Sequence, residues 1–357
     1  MAARFWVGGT GNWDVADTTH WAASSNGAGG QSVPGASDTV TFDASSGGGT
    51  VTVTADHTVT SVTGGAFTGT LDYGTDRTIS YTTFSFTGTA TRSLTLGNAA
   101  ITMTGASTTV WDITNATNLT FSGASATITL SGASAIMTPG ALQSYGTVSF
   151  TGSGAARVNS TGAIFGTLTR TGTNEKTDTF LINGTKTVTT ALNLSGNSSI
   201  NRLQVLSNTI GTVATITNTS TTVTASNVDF QDIAFSVTID LSAQTDIGDA
   251  NGNSGITFPA SVAQTWNGAS GGNWSTNAWT TRVPLPQDDV SLGVAFSASQ
   301  TVVSDMPRLC RSVTWTGATG SPTWNFGSVA NSIYGSITLI SGMTISGTQT
   351  LTLAGRG

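Results

Sequence analysis

Acidic side chains are the residues of this chain best suited to chemistry, and they are few. Glycosidic bonds are commonly cleaved by two carboxyl groups held about 5–9.5 Å apart. The only Glu is Glu175, so such a pair would have to be two Asp residues, and Asp229 and Asp232 in "SNVDFQDI" are the best candidates. Asp229 lies between two apolar residues, so strand alternation predicts that it points outward to solvent. We expect a protein that is not an enzyme, with glycan hydrolase or lyase activity as the alternative.

The segment "DIGDANGNSG" contains the only local pattern for a metal. Asp249, Asn251 and Asn253 stand at alternate positions, as ligands do in a calcium loop. The Gly and the bidentate Glu that such a loop needs later in its sequence are absent. We interpret the segment as a turn rich in Asx residues. We therefore expect no cofactor, with Ca²⁺ as the alternative.

Tryptophan is concentrated in two cassettes, "FWVGGTGNWDVADTTHW" and "TWNGASGGNWSTNAW". The rings could form flat platforms that stack on sugars. They could instead pack together and seal the start of a strand series, because aromatic side chains bury a large apolar area. We favour the packing interpretation. The six residues are Trp6, Trp13, Trp21, Trp266, Trp274 and Trp279.

The two cassettes begin two copies of one module, which we call the first and second Trp modules. After each cassette, "VPGASDTV" (33–40) matches "VPLPQDDV" (283–290) at Val, Pro, Asp and Val with the same spacing. Farther along, residues 50–74 align with residues 301–327, and the second copy starts near residue 264. The shared acids Asp38 and Asp288 precede a strand, so we expect each carboxylate to stabilise a turn by accepting backbone N–H groups.

Composition predicts a nearly all-β fold. Charged residues make up 8% of the chain, against a typical value of about 25%. Exposed faces must therefore be covered by Thr, Ser, Asn and Gly, which suit strands and tight turns. Short runs with apolar residues at alternate positions recur between the two copies. We predict a parallel β-helix (solenoid) or a related stacked β architecture, divided into 1–74 (first Trp module with the first β rungs), 75–258 (solenoid body) and 264–357 (second, truncated Trp module).

Several classes of protein are disfavoured. The net charge of −6 leaves no basic stripe for nucleic acid. No apolar run reaches the roughly 18 residues of a membrane span. The start "MAARFWVGGTGNW" lacks the apolar run of a signal peptide, so we expect synthesis in the cytoplasm. Cys310 is the only cysteine, which excludes an intramolecular disulfide.

The opening "RFWVGGTGNWD", followed by "THWAASSNGAGGQSVPGASDTVTF", resembles the start of tail-fibre-like and other structural proteins of bacteriophages. In those proteins a W-V-G-G-x-G-N-W pattern precedes β-rich repeats. The resemblance covers the start of the first Trp module, extends more weakly to the second, and includes no catalytic motif. It implies a virion component such as a fibre, spike or decoration protein.

The resemblance also implies a location and partners. We expect a product made in the host cytoplasm and assembled into the virion, in contact with other virion proteins and with host surface polysaccharide. Homo-oligomers, including a trimer, are expected, and neither nucleic acid nor membrane is. The alternatives are a polysaccharide-degrading tailspike and a bacterial surface adhesin module. The last strands of the second copy present an edge that a partner, or chain beyond Gly357, would have to cover.

Overall fold

The computed structural model describes residues 1–355 and is nearly all β. Parallel strands stack into a β-solenoid of about 14 turns, which confirms the predicted fold class. In the described residues, helix is confined to two short 3-10 segments, Ala44–Ser46 and Trp274–Thr276. No helix among these residues has the length and apolar character needed to cross a membrane.

The strands in the first half of the chain are β1 (Ala3–Trp6), β2 (Gly11–Trp13), β3 (Trp21–Ala22), β4 (Thr39–Phe42), β5 (Thr50–Val53), β6 (His57–Gly64), β7 (Thr70–Asp72), β8 (Thr78–Ser85), β9 (Arg92–Thr95), β10 (Ala100–Met103), β11 (Thr109–Asp112), β12 (Leu119–Leu130), β13 (Ile136–Thr138), β14 (Ser144–Phe150), β15 (Ala155–Val158), β16 (Ala163–Thr171), β17 (Thr179–Ile182) and β18 (Lys186–Ser195). The strands that follow are β19 (Leu203–Ser207), β20 (Ala214–Thr217), β21 (Thr222–Ser226), β22 (Val228–Gln231), β23 (Ile233–Asp240), β24 (Ile247–Asp249), β25 (Ser254–Thr257), β26 (Ala263–Thr265), β27 (Gly272–Asn273), β28 (Asp289–Ser291), β29 (Thr301–Val303), β30 (Arg308–Cys310), β31 (Ser312–Thr314), β32 (Thr323–Asn325), β33 (Asn331–Ile333), β34 (Ile337–Thr338), β35 (Thr344–Ser346) and β36 (Leu351–Leu353).

Contacts divide the chain into two compact units. The first contains residues 1–171, 180–193 and 214–224, and the second contains 172–179, 194–213 and the chain from 225 onward.

The first unit is built from parallel ladders that run from coil to coil. One ladder joins β1, β4 and β6, and a second joins β2, β5, β7, β9 and the start of β12. A third runs through β6, β8, β10, β12, β14 and β16. Its inward positions stack in register and are at most 1% exposed: Ile79, Ile101, Ile128, Val148 and Leu168. Each such side chain contributes about 1.5–3 kcal/mol by leaving water.

Strand β8 shows how the sequence produces this arrangement. In "TISYTTFS" the apolar residues Ile79, Tyr81 and Phe84 are buried, and the residues between them, mostly Thr and Ser, are not. β-Branched Thr packs well on a pleated surface, so the outward positions need no charged residues.

The second unit ends in three parallel sheets that enclose one core. The sheets are β26-β28-β31-β34, β27-β29-β32-β35 and β30-β33-β36. The core contains the three Trp residues of the second cassette together with Trp315 and Trp324. Earlier in this unit, β19, β22 and β24 pair in parallel, so that Leu203, Val228 and Ile247 stack on one another.

Candidate functional site

The three tryptophans of the first Trp module form one buried cluster. Trp21 stands at the centre, with its ring centroid 5.1 Å from that of Trp6 and 5.2 Å from that of Trp13, both in edge-to-face geometry. None of the three is more than 1% exposed. The Trp6 indole N–H donates to the Gly9 carbonyl at 2.8 Å, so the cluster also holds the glycine turn that follows β1.

The second Trp module repeats this geometry. The Trp266 and Trp279 rings lie 5.4 Å apart at 87°, and Trp274 packs 4.7 Å from Trp279. The Trp266 indole N–H again donates to a carbonyl of the following turn, that of Ser270, at 3.1 Å. Trp279 is the most exposed of the three, at 9%. In both modules the rings pack into the core, so they do not offer the flat exposed faces that stacking on sugars requires.

Asp38 and Asp288 occupy matching positions and accept matching hydrogen bonds. Asp38 accepts the N–H of Ala2 at 2.7 Å and that of Gly35 at 3.1 Å. Asp288 accepts from Val262 at 2.8 Å and from Leu285 at 2.9 Å. The N–H groups of Gly35 and Ala2 hold the pKa of Asp38 below its ordinary value. Each carboxylate therefore ties the residue before the first strand to a turn much farther along the chain, across 36 residues in the first copy and 26 in the second.

The prediction that Asp229 is exposed is wrong. It is 1% exposed and forms ion pairs with Arg202 (2.6 Å) and Arg308 (2.7 Å), which are themselves buried. Burial alone would raise the pKa of Asp229, but the two guanidinium groups outweigh it and hold the pKa below its ordinary value. All four residues of β22 are buried, and Arg308 of the second Trp module contacts Asp229 on the side that turns away from the solenoid interior.

Asp232 does not complete an acid pair with Asp229. It is 1% exposed, has a positive φ of 58°, and accepts the N–H of Gly211 at 3.0 Å. Each of the two carboxylates thus has its own partners inside the protein. Their arrangement does not provide the open cleft that a glycosidase needs for its substrate.

The candidate calcium ligands form a hydrogen-bonded turn. The Asp249 carboxylate accepts the N–H of Asn251 at 2.9 Å and the side-chain N–H of Asn253 at 2.8 Å. The Asn253 side-chain oxygen in turn accepts the N–H of Ile233 at 3.0 Å. A cation would need oxygen atoms, whereas the Asn253 amide directs a donor at the carboxylate. No cluster of three His, Cys, Asp or Glu residues within the described chain has metal-binding geometry.

Buried cations at the solenoid corners are a feature that sequence reasoning missed. Arg92 and Arg170 are at most 1% exposed and donate to backbone carbonyls, including Thr117 O at 2.9 Å and Gly152 O at 2.7 Å. Lys186 is also buried and donates to two carbonyls, and burial lowers its pKa to about 8. These side chains satisfy carbonyls where the chain turns from one face to the next. The signal in the sequence is an isolated Arg or Lys in an otherwise uncharged strand.

The second Trp module has a covered surface, which we call the docking face, made of residues 274–276, 283–287 and 306–309. Arg308 reaches Asp229 from this face, and Leu285 and Leu309 are at most 2% exposed. Gln287 donates to Ile247 O at 3.0 Å and accepts the N–H of Asp249 at 2.9 Å. Its amide therefore bonds to β24 as a neighbouring strand would. The docking face is thus an internal contact with the preceding coils of the same unit.

The equivalent surface of the first Trp module is an open cavity of about 340 Å³, which we call the Trp13 cavity. Trp13 and His57 stack at its base with ring centroids 4.0 Å apart, and His57 Nε2 lies 2.7 Å from the Tyr81 hydroxyl. Burial lowers the pKa of His57 to about 4, so the ring is neutral near pH 7. The lining residues are Trp13, Asp14, Val15, Val33, Pro34, Gly35, Ala36, Ala55, Asp56, His57 and Thr58.

No protein-family model matches the chain, and neither the curated proteins nor the solved structures contain a match.

Proposed function

We propose that this chain is a non-catalytic structural protein of a bacteriophage particle, exposed on the virion and in contact with host surface glycans. The observation that carries the proposal is that the residues best equipped for chemistry are engaged in holding the fold together. Asp229 is enclosed by two arginines, and the six cassette tryptophans pack into the cores.

The phage assignment itself is supported by the sequence of the first Trp module. "RFWVGGTGNWD" and "VPGASDTV" resemble the opening segments of phage structural proteins. A β-solenoid is also suited to such a role, because its core grows by repetition and its outward positions remain available for loops and polar contacts. Assembly into oligomers remains a prediction.

A polysaccharide-degrading tailspike is the alternative that the fold permits. Asp229 and Asp232, the best candidate acids for this activity, are buried and have separate partners. We expect no new reducing ends and no unsaturated products when the purified chain is incubated for a long period with host capsule or lipopolysaccharide. Release of either product would favour the enzyme.

A first test of the proposal is the protein content of the particle. Virions purified by density gradient from a lysed host culture should contain this chain at a stoichiometric level by quantitative mass spectrometry. A host protein of similar abundance in the lysate provides the control for contamination. If the chain is depleted during purification as the host protein is, the proposal is wrong.

A further inference from the structure

The duplication allows the two Trp modules to be compared position by position. Residues 50–63 align with 301–314 without a gap, and residues 33–40 align with 283–290. His57 therefore corresponds to Arg308, and each of these residues begins a strand, β6 in the first copy and β30 in the second. The Trp13 cavity and the docking face are thus the same surface in two copies of one module.

The two copies of this surface carry side chains of different size. Gly35 and Thr58 in the first module are exposed, whereas Leu285 and Leu309, their equivalents in the second, are at most 2% exposed. A third position follows the same pattern, with Ala in the first copy and a buried Met306 in the second. Large apolar residues make the second surface fit a protein neighbour. Small residues at the same positions leave the first surface concave.

The Trp13 cavity has the size and composition of a small-ligand site. Its volume of about 340 Å³ lies within the range of roughly 300–1,000 Å³ that such sites occupy. Val15, which is 76% exposed, and Pro34 provide an apolar wall. The indole N–H of Trp13, like that of its equivalent Trp274, has no hydrogen-bond partner within the described chain. Both indole nitrogens are shielded from solvent, so Trp13 contributes packing to the cavity and not a hydrogen-bond donor.

The charges of the cavity restrict the ligand. Asp14 Oδ1 accepts the N–H of Asp17 at 2.6 Å. Asp56 Oδ1 accepts the N–H of Thr78 at 2.9 Å and lies 3.9 Å from Nη1 of Arg77. These bonds orient both carboxylates and leave the second oxygen of each for a ligand. The lining contains no Lys or Arg, and its one imidazole, that of His57, is neutral near pH 7. The exposed pair of Asp56 with Arg77 is long and therefore weak, so the two carboxylates of the rim favour hydroxyl donors over anions.

We propose that the Trp13 cavity binds a saccharide without acidic groups. Sugar hydroxyls donate to Asp14 and Asp56, and the C–H face of the ring packs on the apolar wall, in keeping with small-ligand sites that combine apolar lining with a few polar groups. This inference rests on the proposed function, because it assigns the contact with host glycans to one surface.

The test measures saturation-transfer NMR signals from the purified chain mixed with maltotriose, mannotriose, chitotriose and, as the acidic comparison, sialyllactose. At least one of the three neutral sugars should bind, and sialyllactose should not. The double variant Gly35→Leu/Thr58→Leu introduces the residues of the second Trp module and should weaken binding by roughly tenfold or more. A Cβ at Gly35 meets only the Asp38 carboxylate, at 3.9 Å, so the variant should fold.

The matched control is Gly65→Leu, at an exposed glycine outside the cavity whose Cβ would meet no atom within 4 Å. It should bind as the wild type does. Asp14→Asn/Asp56→Asn keeps the carbonyl oxygens that accept the backbone N–H groups, and should weaken binding several-fold because charge-assisted hydrogen bonds are the stronger kind.

Three results would overturn the inference: no neutral sugar binds the wild type, the filled variant binds as well as the control, or sialyllactose binds best. Sedimentation of the wild type and the filled variant adds a fourth. If the wild type self-associates and the filled variant does not, the surface is a protein interface. If the chain is present in virions but binds no sugar, only this inference is wrong. If the chain binds a sugar but is absent from virions, only the phage role is wrong.

Discussion

At the scale of single residues, several of the few charged side chains of this protein are buried inside the fold. Arg202 and Arg308 converge on Asp229, while Arg92 and Lys186 donate to corner carbonyls. A buried charge is costly unless it is paired or hydrogen-bonded, and each of these side chains has an ion-pair or carbonyl partner. The low charge content therefore reflects a surface that needs little charge and an interior that depends on a few charges.

Removal of the Asp229 charge should be strongly destabilising. Asp229→Asn leaves Arg202 and Arg308 buried without a counter-charge, and loss of one partner of a buried pair typically costs about 3–5 kcal/mol. The matched control is Asp289→Asn, which breaks a half-exposed pair with Arg311 and should cost about 1 kcal/mol or less. Urea unfolding followed by tryptophan fluorescence measures both. Equal effects would show that the buried cluster does not stabilise the second Trp module.

The stability that Asp229 and its two arginines contribute should depend on pH in a direction that follows from the pKa of Asp229. Because the folded pKa of Asp229 lies below its ordinary value of 3.8, its stabilising contribution is complete above that value and is lost as pH falls through the folded pKa. The wild type should therefore lose stability below about pH 4 more steeply than Asp229→Asn. Parallel pH profiles of the two proteins would contradict the assigned ion pairs.

His57 should affect stability in a higher pH range than Asp229 does, between about pH 4 and pH 6.5. Its pKa falls from 6.5 to about 4 on folding, so between these values the unfolded chain binds more protons than the folded chain. The contribution of neutral His57 is complete above pH 6.5 and declines as pH falls toward 4. His57→Gln does not titrate and should flatten this part of the unfolding profile. An NMR titration that shows His57 protonated near pH 6.5 would contradict its stacked, desolvated environment.

At the scale of elements, the Trp module is a repeated structural unit. Strands β7 and β32 end in the same turn, where Asp72 or Asn325 accepts the N–H of Gly74 or Gly327 and the glycine has φ near +60°. Most residues avoid this conformation, which explains why glycine closes both segments.

The same equivalence predicts different costs for two matched substitutions. Leu94 pairs with Leu71 and is fully buried, whereas Ile345 pairs with Trp324 and is 48% exposed. Leu94→Ala should cost about 2–5 kcal/mol, as for other buried aliphatic residues, and Ile345→Ala well under half as much. Thermal unfolding of the two variants checks the difference. A larger cost at Ile345 would indicate that its strand is covered in solution.

Much at this scale could be predicted from the sequence. Period-2 alternation identifies strands such as β17 because half-buried strands bury every second side chain. The duplication is visible from the Trp and Pro-Asp spacing. The burial of Asp229 could not be predicted, because its partners Arg202 and Arg308 lie 27 and 79 residues away. Arg202 approaches it when β19 pairs with β22, and Arg308 when the second Trp module packs on β22. The Trp13 cavity depends in the same way on which copy of the surface has a neighbour.

At the scale of the whole molecule, the protein is a β-solenoid, and we propose that it serves on the surface of a phage particle. Aromatic and ionic packing closes the interior of the solenoid, and the Trp13 cavity is an open feature of the first Trp module. Binding on such a scaffold comes from surface chemistry on a rigid core.

The measurement that tests the virion role most directly is cryo-electron microscopy of purified virions. We expect density on the surface of the head or tail into which the β-solenoid fits, with the Trp13 cavity facing solvent. Loss of that density from particles grown with the reading frame deleted would identify it. Particles that are complete, that lack such density and that are unchanged by the deletion would contradict a structural role in the virion.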